Sequence, residues 1–114
     1  WYVDYNKGYV GSYDPVSGEN KDWRAPAEEN SRPYGMAVDK RNDVWFVETG
    51  VQPNRLVGFD TETHEFSEPM ELESGGGTVR HMFYDESTDS IWFGTDANTL
   101  GVVRLEEPPV VTAD

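Results

Sequence analysis

Val44-Trp45-Phe46-Val47-Glu48 is the stretch on which the reading of this chain turns, because it occurs in three versions. Ile91-Trp92-Phe93-Gly94-Thr95 and Trp1-Tyr2-Val3-Asp4 repeat its aromatic-led apolar pattern, with the tryptophans 44 and then 47 residues apart. A second run follows each copy: Tyr9-Val10-Gly11-Ser12-Tyr13-Asp14, Leu56-Val57-Gly58-Phe59-Asp60 and Leu100-Gly101-Val102-Val103-Arg104-Leu105. The three runs share a central glycine. Upstream, Tyr34-Gly35-Met36-Ala37-Val38-Asp39 matches Arg80-His81-Met82-Phe83-Tyr84-Asp85, each joined to its tryptophan strand by a polar hairpin.

A period in this range is the spacing of one four-stranded propeller blade. The sequence predicts an all-β chain, a partial β-propeller of about two and a half four-stranded antiparallel blades. The blade pieces cover 1–26, 27–73 and 74–107, and the tail 108–114 is read as an added strand or one exchanged between copies. Short edge strands are expected around Lys21 to Arg24 and around Glu65 to Phe66. Asp14-Pro15-Val16-Ser17-Gly18 and Asp60-Thr61-Glu62-Thr63 supply turns, since an Asp side chain can accept hydrogen bonds from the backbone just after it. No segment has the 3.6-residue period and caps of a helix.

The composition fits short strands. Only 36% of the 114 residues are hydrophobic, but 13% are aromatic, so burial rests on a few large side chains. With 22 acidic against 9 basic residues and a formal charge of −13, the surface repels a phosphate backbone, and nucleic acid is not an expected partner. No apolar run is long enough for a membrane helix. The absence of cysteine removes disulfides and thiolate metal sites.

Propellers close with about four to eight blades, so this chain leaves blade faces open. It is expected to be a piece of a longer protein, to pair with a second polypeptide, or to form a homo-oligomer that completes the ring.

Arg32-Pro33-Tyr34-Gly35-Met36-Ala37-Val38-Asp39, Asp43-Val44-Trp45-Phe46-Val47-Glu48-Thr49-Gly50 and Asn54-Arg55-Leu56-Val57-Gly58-Phe59-Asp60 resemble the repeats of the streptogramin B lyase (virginiamycin B lyase) family. Ser90-Ile91-Trp92-Phe93-Gly94-Thr95-Asp96 with Asn98-Thr99-Leu100-Gly101 is similar to a terminal blade of that type. The resemblance implies a magnesium-assisted elimination that opens a cyclic peptide or lactone, in a bacterial protein that is periplasmic or secreted. It places Glu48 at the family's acidic position, with Asp4 at that position in the first copy and Thr95 in the third. Where the family carries His in its Pro-x-Gly strand, this chain has Tyr34 and Arg80, with His81 one residue along.

The candidate site follows from these positions. Asp4, Glu48 and Asp96 recur at or just beyond one strand end, where carboxylate oxygens can hold Mg²⁺ or Ca²⁺. His81 is the candidate base and Arg80 the candidate stabiliser of negative charge, both opening an inner strand near the channel mouth, with Tyr34 as a small-molecule contact. Trp1, Trp45 and Trp92 are expected to pack between blades, Gly75-Gly76-Gly77 to lead flexibly into an inner strand, and His64 to be a solvated turn residue. The alternative function is a non-catalytic module that completes a ring by association.

Overall fold

The computed structural model describes residues 1–72, 78–105 and, for the backbone, 110–113; Gly75-Gly76-Gly77 lie outside the described residues. The strands are β1 (Tyr2–Asp4), β2 (Tyr9–Tyr13), β3 (Asn20–Arg24), β4 (Pro33–Val38), β5 (Val44–Glu48), β6 (Arg55–Phe59), β7 (Met70–Glu71), β8 (Val79–Asp85), β9 (Ser90–Thr95), β10 (Leu100–Arg104) and β11 (Val110–Ala113). They form three antiparallel sheets, β1-β2-β3, β4-β5-β6-β7 and β8-β9-β10-β11. The blade architecture expected from the repeat is present.

The tail strand β11, read as added or exchanged, pairs with β10 of its own chain, from Gly101↔Ala113 to Arg104↔Val110, so the third sheet has four strands. Three details differ from the sequence reading. Around Glu65 to Phe66 there is only an isolated bridge, Phe59↔Phe66, and the outer strand of the second sheet forms later, at Met70–Glu71. A single 3-10 turn, Glu28–Asn30, joins the first two sheets. The glycines of the second runs are not equivalent: Gly11 opposes Tyr2 and Gly101 opposes Phe93, whereas Gly58 opposes Trp45. In each case the aromatic ring lies where a glycine Cβ would be, so the pair packs like a ring over a notch.

Strand alternation then assigns the faces. Val44 and Phe46 on β5, with Val57 and Phe59 on β6, point back to the first sheet and bury a core with Val10 and Ala25. Val47 and Leu56 point the other way and are buried with Leu72, Val79, Ile91, Phe93, Val103 and Leu105 of the second and third sheets. Each fully buried Phe or Leu contributes roughly 1.5–3 kcal/mol of transfer free energy, which offsets the ordering of these short strands. A knob adds to the second contact: Met82 lies against the space beside Gly35, its Sδ 2.9 Å from where a Cβ would stand.

Turn chemistry recurs where expected. Asp14 Oδ1 accepts from the Val16 N–H at 2.9 Å, Asp60 Oδ1 from Glu62 N–H at 2.8 Å and Asp85 Oδ1 from Ser87 N–H at 3.1 Å. In the first two turns the Asp carbonyl also accepts from residue four on, Gly18 or His64, and both of those are left-handed, at φ 76 and φ 62. His64 therefore fills a glycine-like position, and although exposed its ring lies 4.6 Å from that of Trp23, so it packs as well as being solvated.

The tryptophans face the following blade in each sheet, but only Trp45 has one fully over it. Trp45 is half-buried against the third sheet, with its indole N–H donated to Asp39 at 2.9 Å. Trp1 stays 40% exposed beside Trp23 and Phe59, and Trp92 is 40% exposed.

Candidate functional site

The ends of β1, β5 and β9 and the starts of β4 and β8 lie along one rim, because antiparallel pairing sets Glu48 opposite both Pro33 and Arg55, and Thr95 opposite Val79. Each of the three carboxylates expected there is present, and each accepts a backbone N–H: Asp4 from Lys7 at 3.0 Å, Glu48 from Ala27 at 2.8 Å and Asp96 from Thr78 at 2.8 Å. Strand ends leave such donors unpaired, and a recurring acid satisfies them.

Glu48 is the most committed. Its side chain is completely buried, with one oxygen taking Arg55 Nη2 at 2.7 Å and Nε at 3.1 Å and the other taking the Ala27 N–H. It ties the link between the first two sheets to β5 and β6. Asp96 is exposed and also meets Arg80 at 3.3 Å. The Thr78 N–H and then Arg80 hold the Asp96 carboxyl below its ordinary pKa. No group of three or more His, Asp or Glu side chains is placed to share a cation among the described residues. As arranged, these carboxylates stand on three different sheets, each engaged by a backbone N–H close to it.

Arg80 and His81 part company. A shift of strand register lies between Val79 and His81. Arg80 lies over the Tyr34 ring of the neighbouring sheet at 5.7 Å, so the structure joins two of the expected residues. His81 instead lines an exposed groove of about 210 Å³ with Phe83, Trp92, Gly94 and Leu100 on the outer face of the third sheet. The base and the charge-stabiliser expected to act together thus face different surroundings.

Sequence reasoning missed two features. One is the rest of the row around Tyr34: Tyr5 meets Tyr34 edge-on, ring centres 6.3 Å apart, and Arg32 lies over Tyr5 at 5.7 Å. The signal was available as an aromatic or cation beside each repeat's strand end. The other is a latch at the opposite rim, where Arg41 grips both oxygens of Asp89 at 3.0 and 2.9 Å and also reaches Asp39. Arg41 holds the Asp89 carboxyl below its ordinary value, while burial and then the charges of Asp39 and Asp60 push that of Asp43 up.

No protein-family model matches the chain, and no curated protein matches it. Among solved structures, it is similar to a catalytically inactive His-to-Ala variant of virginiamycin B lyase from Staphylococcus aureus with quinupristin. The TM-score is 0.78 and the identity 20%, over 96% of this chain and 34% of that one. The likeness is one of fold, and the chain spans about a third of that lyase chain.

Proposed function

We propose that this chain is an assembly unit, supplying three adjacent blades to a propeller ring that a second copy completes head to tail. The observation that supports this is the outer face of the third sheet. Phe83, Trp92 and Val102 form one cross-strand row, and His81, Gly94 and Leu100 the next. Phe83 is 67% exposed and Leu100 50%. The corresponding face of the second sheet, with Trp45, Val47 and Leu56, is covered by Ile91, Phe93 and Met82. An uncovered apolar face of a repeat unit is a contact surface that lacks its neighbour.

The opposite end supports the direction of assembly. On the first sheet the face pointing away from the second carries Tyr2, Tyr13, Asn20 and Asp22 in place of the Phe and Val of the inner blades. Tyr2 Oη accepts from Asn20 at 2.8 Å, and Tyr13 is 58% exposed. Tyrosine suits a surface that must be both wet and buried in turn. An apolar face meeting a tyrosine face is a heterologous contact, which closes only if the rotation per copy permits. Two copies supply six sheets, inside the usual range of about four to eight, whereas three would supply nine.

Light scattering with native mass measurement tests the reading. The expected result is a dimer of the 12.9 kDa chain at micromolar concentration, converted to monomer by Trp92→Asp. A folded wild-type monomer under those conditions, as when only further blades of a longer polypeptide can cover the face, overturns it.

A lyase-like elimination on a cyclic peptide or lactone is the second reading, favoured by Arg80 and Tyr34 meeting at the rim. It requires His81 to turn toward them or a base from outside these blades, and turnover of a cyclic depsipeptide by the assembled protein is its test.

A further inference from the structure

We infer that the row Arg32–Tyr5–Tyr34–Arg80 is a binding site for a planar organic dianion, an aromatic dicarboxylate being the simplest of its class. The row crosses all three sheets. Tyr5 follows β1, Arg32 immediately precedes β4, Tyr34 lies at the start of β4, and Arg80 at the start of β8. Cation, ring, ring and cation succeed one another at 5.7, 6.3 and 5.7 Å.

Three observations separate this row from ordinary surface packing. The first is concentration of charge: a chain with 9 cations against 22 acids places two guanidiniums on one short track. The second is their free valence. Arg55 and Arg41 have their donors taken by carboxylates at 2.7 to 3.1 Å, but Arg32 has no carboxylate within 4.0 Å among the described residues. Arg80 has one contact at 3.3 Å with Asp96, both side chains about half exposed, which an incoming carboxylate can replace. The third is fixed placement. Arg32 sits in the left-handed region at φ 43, and its carbonyl accepts from Thr49 Oγ1 at 2.6 Å, so its backbone is held there by the end of β5.

The ligand class follows from the order of groups. A guanidinium presents a planar fork of N–H donors that matches a carboxylate, and one stands at each end. Between them, Tyr5 and Tyr34 are 41% and 49% exposed and stand at 85° to each other, so a flat body lies on the face of one ring and against the edge of the other. A neutral ligand would forgo both ends, and a monoanion one of them.

Titration of the chain with terephthalate, followed by amide chemical shifts, tests the site. Saturable binding is expected, weakened by about tenfold or more in Arg32→Gln and in Arg80→Gln. Arg24→Gln, which removes a cation lying 5.3 Å over Tyr9 elsewhere on the surface, should leave it unchanged. Neutral terephthalamide should not bind. No saturation by about 10 mM, equal binding of the diamide, or full affinity in Arg32→Gln and Arg80→Gln would overturn the inference. Arg32→Lys and Arg80→Lys keep the charge without the fork and should bind more weakly than wild type but more tightly than the Gln variants, a graded order that misfolding would not produce. The row lies within one chain, so a monomer that binds terephthalate rejects the dimer and leaves this site standing.

Discussion

Replacing Glu48 by Ala should destabilise the chain by about 3 kcal/mol. The Ala27 N–H, which Glu48 accepts at 2.8 Å, would be left without a partner at a covered junction, at a cost of about 1–3 kcal/mol. Arg55 would lose both of its short contacts while its side chain is only 28% exposed, so water can relieve part of that loss. Breaking a buried pair by removing one member costs about 3–5 kcal/mol, and the access of Arg55 to solvent points to the lower end. Because a whole domain is held by only about 5–15 kcal/mol, the melting temperature should fall by ten degrees or more, by the usual scaling of about 4–8 °C per kcal/mol. Urea unfolding followed by tryptophan fluorescence measures the change, and Glu48→Leu with Arg55→Leu should recover much of it, since no charge is then stranded. A loss below about 1 kcal/mol for Glu48→Ala would refute the reasoning and return Glu48 to the role of a ligand group.

Gly101→Ala should cost about 1–3 kcal/mol in the same assay, because the new methyl meets the Phe93 ring; Gly94→Ala, whose Cβ would meet nothing within 4 Å, serves as its control. Acid should unfold the protein below the ordinary Asp value of 3.8. Asp89 is held lower by Arg41, so its contribution is present above that value and lost as pH falls through its folded value, and Arg41→Met should flatten this part of the melting curve. Asp43 acts in the opposite sense: its raised pKa makes the ionised form unfavourable, so moderate acidification toward that value does not weaken the fold. Millimolar Mg²⁺ or Ca²⁺ should leave the melting temperature unchanged, and a clear rise would mean that the rim carboxylates rearrange into a donor set.

The strand plan was legible because aromatic side chains mark it. Trp45 and Trp92 recur with a fixed partner spacing, and Asp14 and Asp60 announce their turns chemically. Outer strands were less legible: β7 is two residues long and set by what Leu72 buries, with no pattern of its own. Glycine spacing misled by one residue at Gly58, since a notch for Trp45 and a notch for Phe93 look alike in a string of letters. The candidate site was half legible. Residue type suggested Glu48 as a ligand and Arg80 with His81 as partners, but alternation along β8 and the reach of Arg55 are spatial facts. The letters put Tyr5 and Tyr34 each beside a repeat's strand end, but their meeting across two sheets is spatial.

In the first sheet β1 is the border strand, the place that β4 and β8 hold in the others. Such a border is a mould for any extended peptide, including another copy's unfolded segment. Repulsion at −13 opposes edge-to-edge annealing in neutral solution, and that protection vanishes near pH 4.3. Storage close to that acidity should therefore seed insoluble strand-annealed material before the sheets themselves melt, and a short capping peptide matched to β1 should suppress it.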